Sequence, residues 1–232
     1  MAVTPDYYCQ NMEASEYLIS RYCLIRNKRI ILNGEKIIEE SEGANFSAFL
    51  SSVYKTFGSE YPKFYKMDLL SKLGFLTTDF LTDSGKCLTS YESDQIAIVA
   101  SNSQSSLETD NNYLETIADK DNYYPNPGIF VYTLPNLLIG EVAIKFDIKG
   151  ESIFFVSQLP DFENLKNYAA SLLNDSTTSA VILGWVDLGL KHEYESILFL
   201  VERRKMAAKS KETWLFSAET MEDLYFEKNL EK

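Results

Sequence analysis

The two side chains best suited to covalent and acid–base work are scarce in this chain: one histidine, His192, and three cysteines, Cys9, Cys23 and Cys87. The cysteines are widely spaced and form no CxxC pair, so neither a disulfide framework nor a cysteine zinc site is suggested, and buried free thiols are expected. A single imidazole excludes a histidine metal cluster. His192 lies in KHEYE between two expected strands, where a solvated loop side chain is the default. The richest stretch for chemistry is therefore IFFVSQLPDFENLKNYAASL, residues 153–172. It reads as a short apolar strand, four residues of turn chemistry and a helix. Such an elbow often holds a nucleophile, because a helix N-terminus offers unpaired N–H groups and partial positive charge to an anion. Here the turn offers Ser157, Gln158, Leu159 and Pro160, and no thiol. A device pairing Ser157 with His192 needs a carboxylate behind the ring, and nothing in the sequence demands one. Asp161 is expected to cap the helix that starts near Phe162, with Glu163 in its first turn. The other small polar loop, SNSQSS (101–106), has no glycine and no lysine, so it reads as a strand-to-helix loop rather than a phosphate cradle.

The elements around that elbow follow from periodicity. Tyr17 to Ile38 reads as two strands with an Asn33-Gly34 turn. Phe46 to Phe57 has helical spacing, and Met67, Leu70, Leu73, Gly74, Leu76, Thr77 and Phe80 trace a second helical stripe with Asp68 near its start. Ile96 to Ala100 is a strand, and Leu134 to Phe146 a helix. Gly150 ends a loop before the strand at 153–156. SAVILGWVDL (179–188) is a continuous apolar strand of the kind buried on both faces, and ESILFLVE (195–202) is another. Helices alternating with apolar strands favour a layered α/β fold.

Bulk composition sets the outer bounds. With 232 residues, 45% of them hydrophobic, the chain can bury a core as one domain over 1–232, with an irregular part over about 1–60 and a tail over 203–232. A net charge of -12 argues against a nucleic-acid partner, which needs clustered Lys and Arg. The one basic patch is Arg203, Arg204, Lys205, Lys209 and Lys211. No signal peptide and no run of about 18 apolar residues is visible, so no membrane and a cytoplasmic location are expected.

In order and spacing, KMDLLSKLGFLTTDFL, DQIAIVASNSQSSLETDNNYLETI, NPGIFVYTLPNLLIGEVAIKFDIKGES, SAVILGWVDL and SILFLVE resemble the N-terminal half of the β-ketoacyl synthases, the thiolase-like condensing enzymes. The resemblance runs from about Lys66 to Glu202. It implies an α/β fold, with a mixed, mostly parallel five-stranded sheet and helices on both faces. Counting from Gly150, the family's acyl-accepting cysteine falls at Leu159, or at Gln158 after a one-residue slip, and neither side chain can form a thioester. The decarboxylating residues of the family come from a C-terminal half that has no counterpart before Glu202.

The TLPNLLIGEVAIK segment looks most like the short chain-length-factor-like subunits of aryl polyene and flexirubin-type clusters. The resemblance thus implies a catalytically inactive subunit paired with an active ketosynthase, or with itself, with an acyl carrier protein involved indirectly and neither cofactor nor metal. It places a dimer seam on Glu151, Ser152, Ile153, Phe154, Phe155, Val156 and Ser157. Phe154, Phe155, Leu159 and Phe162 become candidates for lining a partner's acyl tunnel. A missing second half should also leave an apolar helical layer to be covered, by a contact of about 2,000 Å² or more. The alternatives are a malonyl-carrier decarboxylase, which needs histidines, and a homodimeric acyl-binding scaffold.

Overall fold

A computed structural model describes residues 16–39, 45–57, 60–121, 123–191, 193–207 and 212–228; Cys9, His192, Lys209 and Lys211 lie outside the described residues. Branched and aromatic residues make β1 (Tyr17–Arg26). Left-handed turns at Asn27-Lys28 and Asn33-Gly34 fold it into a meander with β2 (Arg29–Leu32) and β3 (Glu35–Glu39), so this region holds three strands where two were expected. The first turn has no glycine to mark it, which is why the pattern alone merged β1 and β2.

The helix α1 (Phe46–Phe57) follows, and Asp68 then accepts a hydrogen bond from the Ser71 amide to start α2 (Leu69–Leu81). After β4 (Ile96–Asn102), the chain makes an excursion through α3 (Leu107–Glu115) and α4 (Pro127–Phe130). It returns in α5 (Leu137–Phe146) and β5 (Ser152–Val156), followed by α6 (Phe162–Asn174). The strands β6 (Ala180–Leu188) and β7 (Tyr194–Arg203) form the middle of the sheet. The short α7 (Arg204–Ala207), β8 (Trp214–Leu215) and α8 (Ala218–Tyr225) close the described chain.

All the described strands join one sheet in the order β3-β2-β1-β7-β6-β4-β5, with β8 also pairing β1. The α/β class and the helices on both faces are as expected, but the sheet has eight strands rather than five. Nor is it mostly parallel: only β4–β5 and β4–β6 run parallel, and the other pairings are antiparallel. The meander and the β6–β7 hairpin are local connections, which can only be antiparallel. Along each buried strand successive side chains alternate between two cores. Ile98, Ile182 and Leu198 face α1, α2 and α5 in one core; Val99, Val181, Leu183 and Phe199 face α6 and α8 in the other.

The described part of the segment after Arg203 packs on the second face: Met221 and Leu224 of α8 are fully buried and Tyr225 packs edge-on to Phe162 at 5.5 Å. On the same face, α6 leaves no apolar layer bare. Its inner positions Phe162, Leu165, Ala169 and Leu173 are buried on the sheet, while its outward positions are Glu163, Asn164, Asn167 and Ser171. The helix is amphipathic, with a solvent-ready outer face, so it does not need a second sheet above it.

Candidate functional site: the elbow after the edge strand

The elbow is positioned from the sheet upward. Gly150 enters it under tight constraint, since a Cβ there would lie 2.3 Å from the Ile96 carbonyl oxygen. Only glycine lets the two backbones approach so closely. From there β5 runs beside β4 in register Ile98↔Ser152 to Asn102↔Val156. The Ser157 amide donates to the Asn102 carbonyl at 2.9 Å, which brings the turn next to the 101–106 loop. That loop satisfies itself: Asn102 exchanges two hydrogen bonds with the Ser105 backbone, and Ser103 donates both its amide and its hydroxyl to Asp187. Past Asn102, where β4 ends, it is a loop, as expected.

At the turn, the Ser157 hydroxyl donates to the Leu159 carbonyl at 2.8 Å. Gln158 is exposed and Leu159 is 75% exposed. Asp161 accepts from the Asn164 amide at 3.0 Å, the expected cap. Hydrogen bonds from Lys166 and Asn167 hold the Glu163 carboxyl below its usual range beside it. The helix N-terminus is thus served by its own carboxylates. The described thiols are elsewhere: Cys23 is buried in β1, where desolvation pushes its pKa up, and Cys87 sits beyond the end of α2. Among the described residues, no cluster of three His, Cys, Asp or Glu side chains has metal-binding geometry.

The sequence-selected aromatic residues separate. Phe154 packs on the core beneath α5, and Phe155 on the opposite core, edge-on to Tyr168 at 5.4 Å. Phe162 is 2% exposed between Phe199 and Tyr225. Five of the surface cavities among the described residues have volumes of about 460 to 650 Å³, and none of these five is lined by Phe154, Phe155, Gln158, Leu159 or Phe162.

The seam strand occupies a distinct place. Among the described strands, β5 is the sheet's last and pairs only with β4. The bonds Ser157 amide to Asn102 and Ile98 amide to Glu151 carbonyl turn odd-numbered backbone groups toward β4, so those of Ser152, Phe154 and Val156 point outward. Val156 is 57% exposed beside them.

Sequence reasoning missed the excursion between β4 and α5, which carries exposed Leu114, Phe130, Val131 and Leu134. It is tied to the same end of the sheet by the Ser106 hydroxyl, which donates to the Thr133 carbonyl at 2.7 Å. It also missed Glu141, 1% exposed, which accepts from Tyr132 at 2.8 Å and Tyr61 at 3.3 Å and pairs with Lys63 at 2.8 Å. The signal was available in LLIGEVAIKF, where a lone acid interrupts the buried stripe of a helix. A buried carboxylate must find donors, and these donors fasten the excursion to α5.

No family model matches this chain, and no curated protein matches it significantly. Solved structures do. The ishigamide ketosynthase/chain length factor matches at TM-score 0.58 and 15% identity, over 82% of this chain and 63% of that one. A type II polyketide synthase acyl-carrier protein in complex with its ketosynthase bound to the hexaketide matches at TM-score 0.59 and 12% identity, over 83% and 64%. A β-ketoacyl synthase from Burkholderia phymatum matches at TM-score 0.54 and 8% identity, over 84% and 60%. The chain spans less than two thirds of the length of each. At these identities the likeness is one of architecture, and the chain has the thiolase-like fold of ketosynthase and chain-length-factor subunits.

Proposed function

We propose that this chain is a chain-length-factor-like subunit, without a covalent nucleophile of its own, that pairs along β5 with an active ketosynthase and shapes the product that ketosynthase makes. The observation that carries this reading is the open, uncharged edge of β5, joined to an elbow that holds Gln158 and Leu159 in place of a thiol. Outward backbone groups at Ser152, Phe154 and Val156 are suited to antiparallel pairing with a second strand of the same kind. The exposed Leu159, Phe130, Val131 and Leu134 would flank that seam and add apolar area to it. None of those five cavities is lined by the candidate tunnel residues, so an acyl tunnel would need its other wall from the partner. Of those candidates, Leu159 is the best placed, because the Phe162 ring belongs to the core and Phe154 and Phe155 pack on its two faces.

The test is co-expression with a cysteine-bearing ketosynthase, followed by native mass and product analysis. A one-to-one complex whose product length changes on Leu159→Trp supports the proposal. An isolated chain that takes up an acyl group from a carrier thioester and extends it overturns the proposal. A stable pair of identical chains with no affinity for a ketosynthase replaces it with the scaffold reading.

A further inference from the structure

A cavity of about 610 Å³ opens between the start of α2 and the excursion, with Met67, Leu69 and Lys72 on one wall and Thr109, Ile129 and Tyr132 on the other. No residue of β5 or of the elbow lines it, so it is separate from the seam. Its size is that of a small-molecule site.

Lys72 is the unusual group on that lining. The side chain is partly buried, yet among the described residues its ammonium makes no hydrogen bond and no ion pair. It stands 5.9 Å from the Phe64 ring centroid, the outer limit of a cation–π contact. Lysines of the neighbouring elements are held: Lys63 pairs with Glu141 at 2.8 Å, and Lys145 donates to the Glu60 carbonyl at 3.0 Å. Asp68, one turn before Lys72, already accepts from the Ser71 amide and the Thr109 hydroxyl. Burial lowers the pKa of the Lys72 amine, with the charge of Asp68 acting the other way. An ammonium taken out of water without an acceptor gives up its proton more readily, and the free amine is the nucleophile.

We infer that Lys72 is a carbonyl-capturing lysine, whose amine adds reversibly to a small aliphatic aldehyde seated in this cavity. The nitrogen lone pair forms a C–N bond to the carbonyl carbon while a proton passes from nitrogen to the carbonyl oxygen. The resulting carbinolamine loses water and leaves an imine, with no oxidant or reductant consumed. Met67, Leu69 and Ile129 give the alkyl chain an apolar wall. Lys66, Asp68, Glu108, Glu115 and Tyr132 are the titratable groups on the lining with Lys72. The aldehyde is neutral, so its entry does not depend on the sum of their charges.

The experiment is incubation of the full chain at neutral pH with butanal and sodium cyanoborohydride, which donates hydride to an imine and fixes it as a secondary amine. Peptide mapping by mass spectrometry then gives the labelling rate at each lysine. Lys66 is the internal reference, since it lines the same cavity but is exposed. Lys72 should be labelled at least about fivefold faster than Lys66 in the folded chain, and at the same rate in denaturing urea. With cyanoborohydride left out, the adduct should wash away and the intact mass return to that of the untreated chain. Labelling of Lys72 no faster than that of Lys66, a preference that survives urea, or an adduct that persists without hydride would each overturn the inference.

Discussion

The sheet ends in two edge strands of similar length and opposite character. β3 is Glu-Lys-Ile-Ile-Glu, with Lys36 and Glu39 ion-paired along the edge and a register irregularity against β2 between Ile30 and Ile31. Charges and a bulge are the usual means of keeping an edge from pairing with another chain. β5 is Ser-Ile-Phe-Phe-Val, regular in register and without a charge from Ser152 to Gln158. One molecule thus defends one edge and leaves the other open. An undefended apolar edge is an aggregation risk, and the pairing proposed for β5 would cover it.

The comparison breaks most sharply at β5. Ser152→Pro combined with Val156→Lys removes an outward N–H and adds a charge without touching the ladder to β4. It should weaken association by about 100-fold or more while far-ultraviolet circular dichroism stays native; native mass and analytical ultracentrifugation check it. Gly150→Ala attacks the same edge from inside. With a Cβ 2.3 Å from the Ile96 oxygen, the start of β5 must shift, costing about 2 to 4 kcal/mol and roughly 5–15 °C in melting temperature by calorimetry.

A smaller effect is expected where the excursion is anchored. Glu141→Ala leaves the Tyr132 and Tyr61 hydroxyls and Lys63 without their acceptor, and should cost about 2 kcal/mol in urea unfolding. It should also weaken the complex further, because Val131 and Leu134 lose their fixed position. At the defended edge, Lys36→Ile with Glu39→Val should leave melting within about 2 °C but produce concentration-dependent oligomers in light scattering. If the two edges then behave alike, charge alone explains their difference.

The smallest effect concerns Asp68, under the α2 N-terminus. Burial raises its pKa, with hydrogen bonds from Ser71 and Thr109 acting the other way. A carboxyl raised on folding binds more protons in the native state, so its contribution falls as pH rises through its folded pKa. Asp68→Asn keeps an acceptor for the Ser71 amide and loses that penalty. The variant should melt slightly above the parent at neutral pH, and the gap should close as the pH falls toward the parent carboxyl's unfolded range.

Much of the site was legible locally. The strand, turn and helix of residues 153–172, the Asp161 cap and the loop character of 101–106 all follow from side-chain period and capping chemistry, which act over a few residues. Local pattern also placed β4, β6 and β7 within a residue or two, since each is a nearly unbroken apolar run. It misjudged the meander, where Asn27-Lys28 gives no glycine signal, and it left open the order of the segment after Arg203, where mixed charge hides the buried Met221 and Leu224.

The amino-acid sequence by itself determined that this chain is layered α/β and that its elbow carries no thiol, because both are properties of residue type and short-range spacing. Only the tertiary structure decided that β5 is an edge among the described strands, that Phe162 belongs to the core, and that Met221 and Leu224 are buried on the second face of the sheet. Those facts depend on which distant strand lies beside which, and strand order is set by burial summed over the whole sheet rather than by any one segment's pattern.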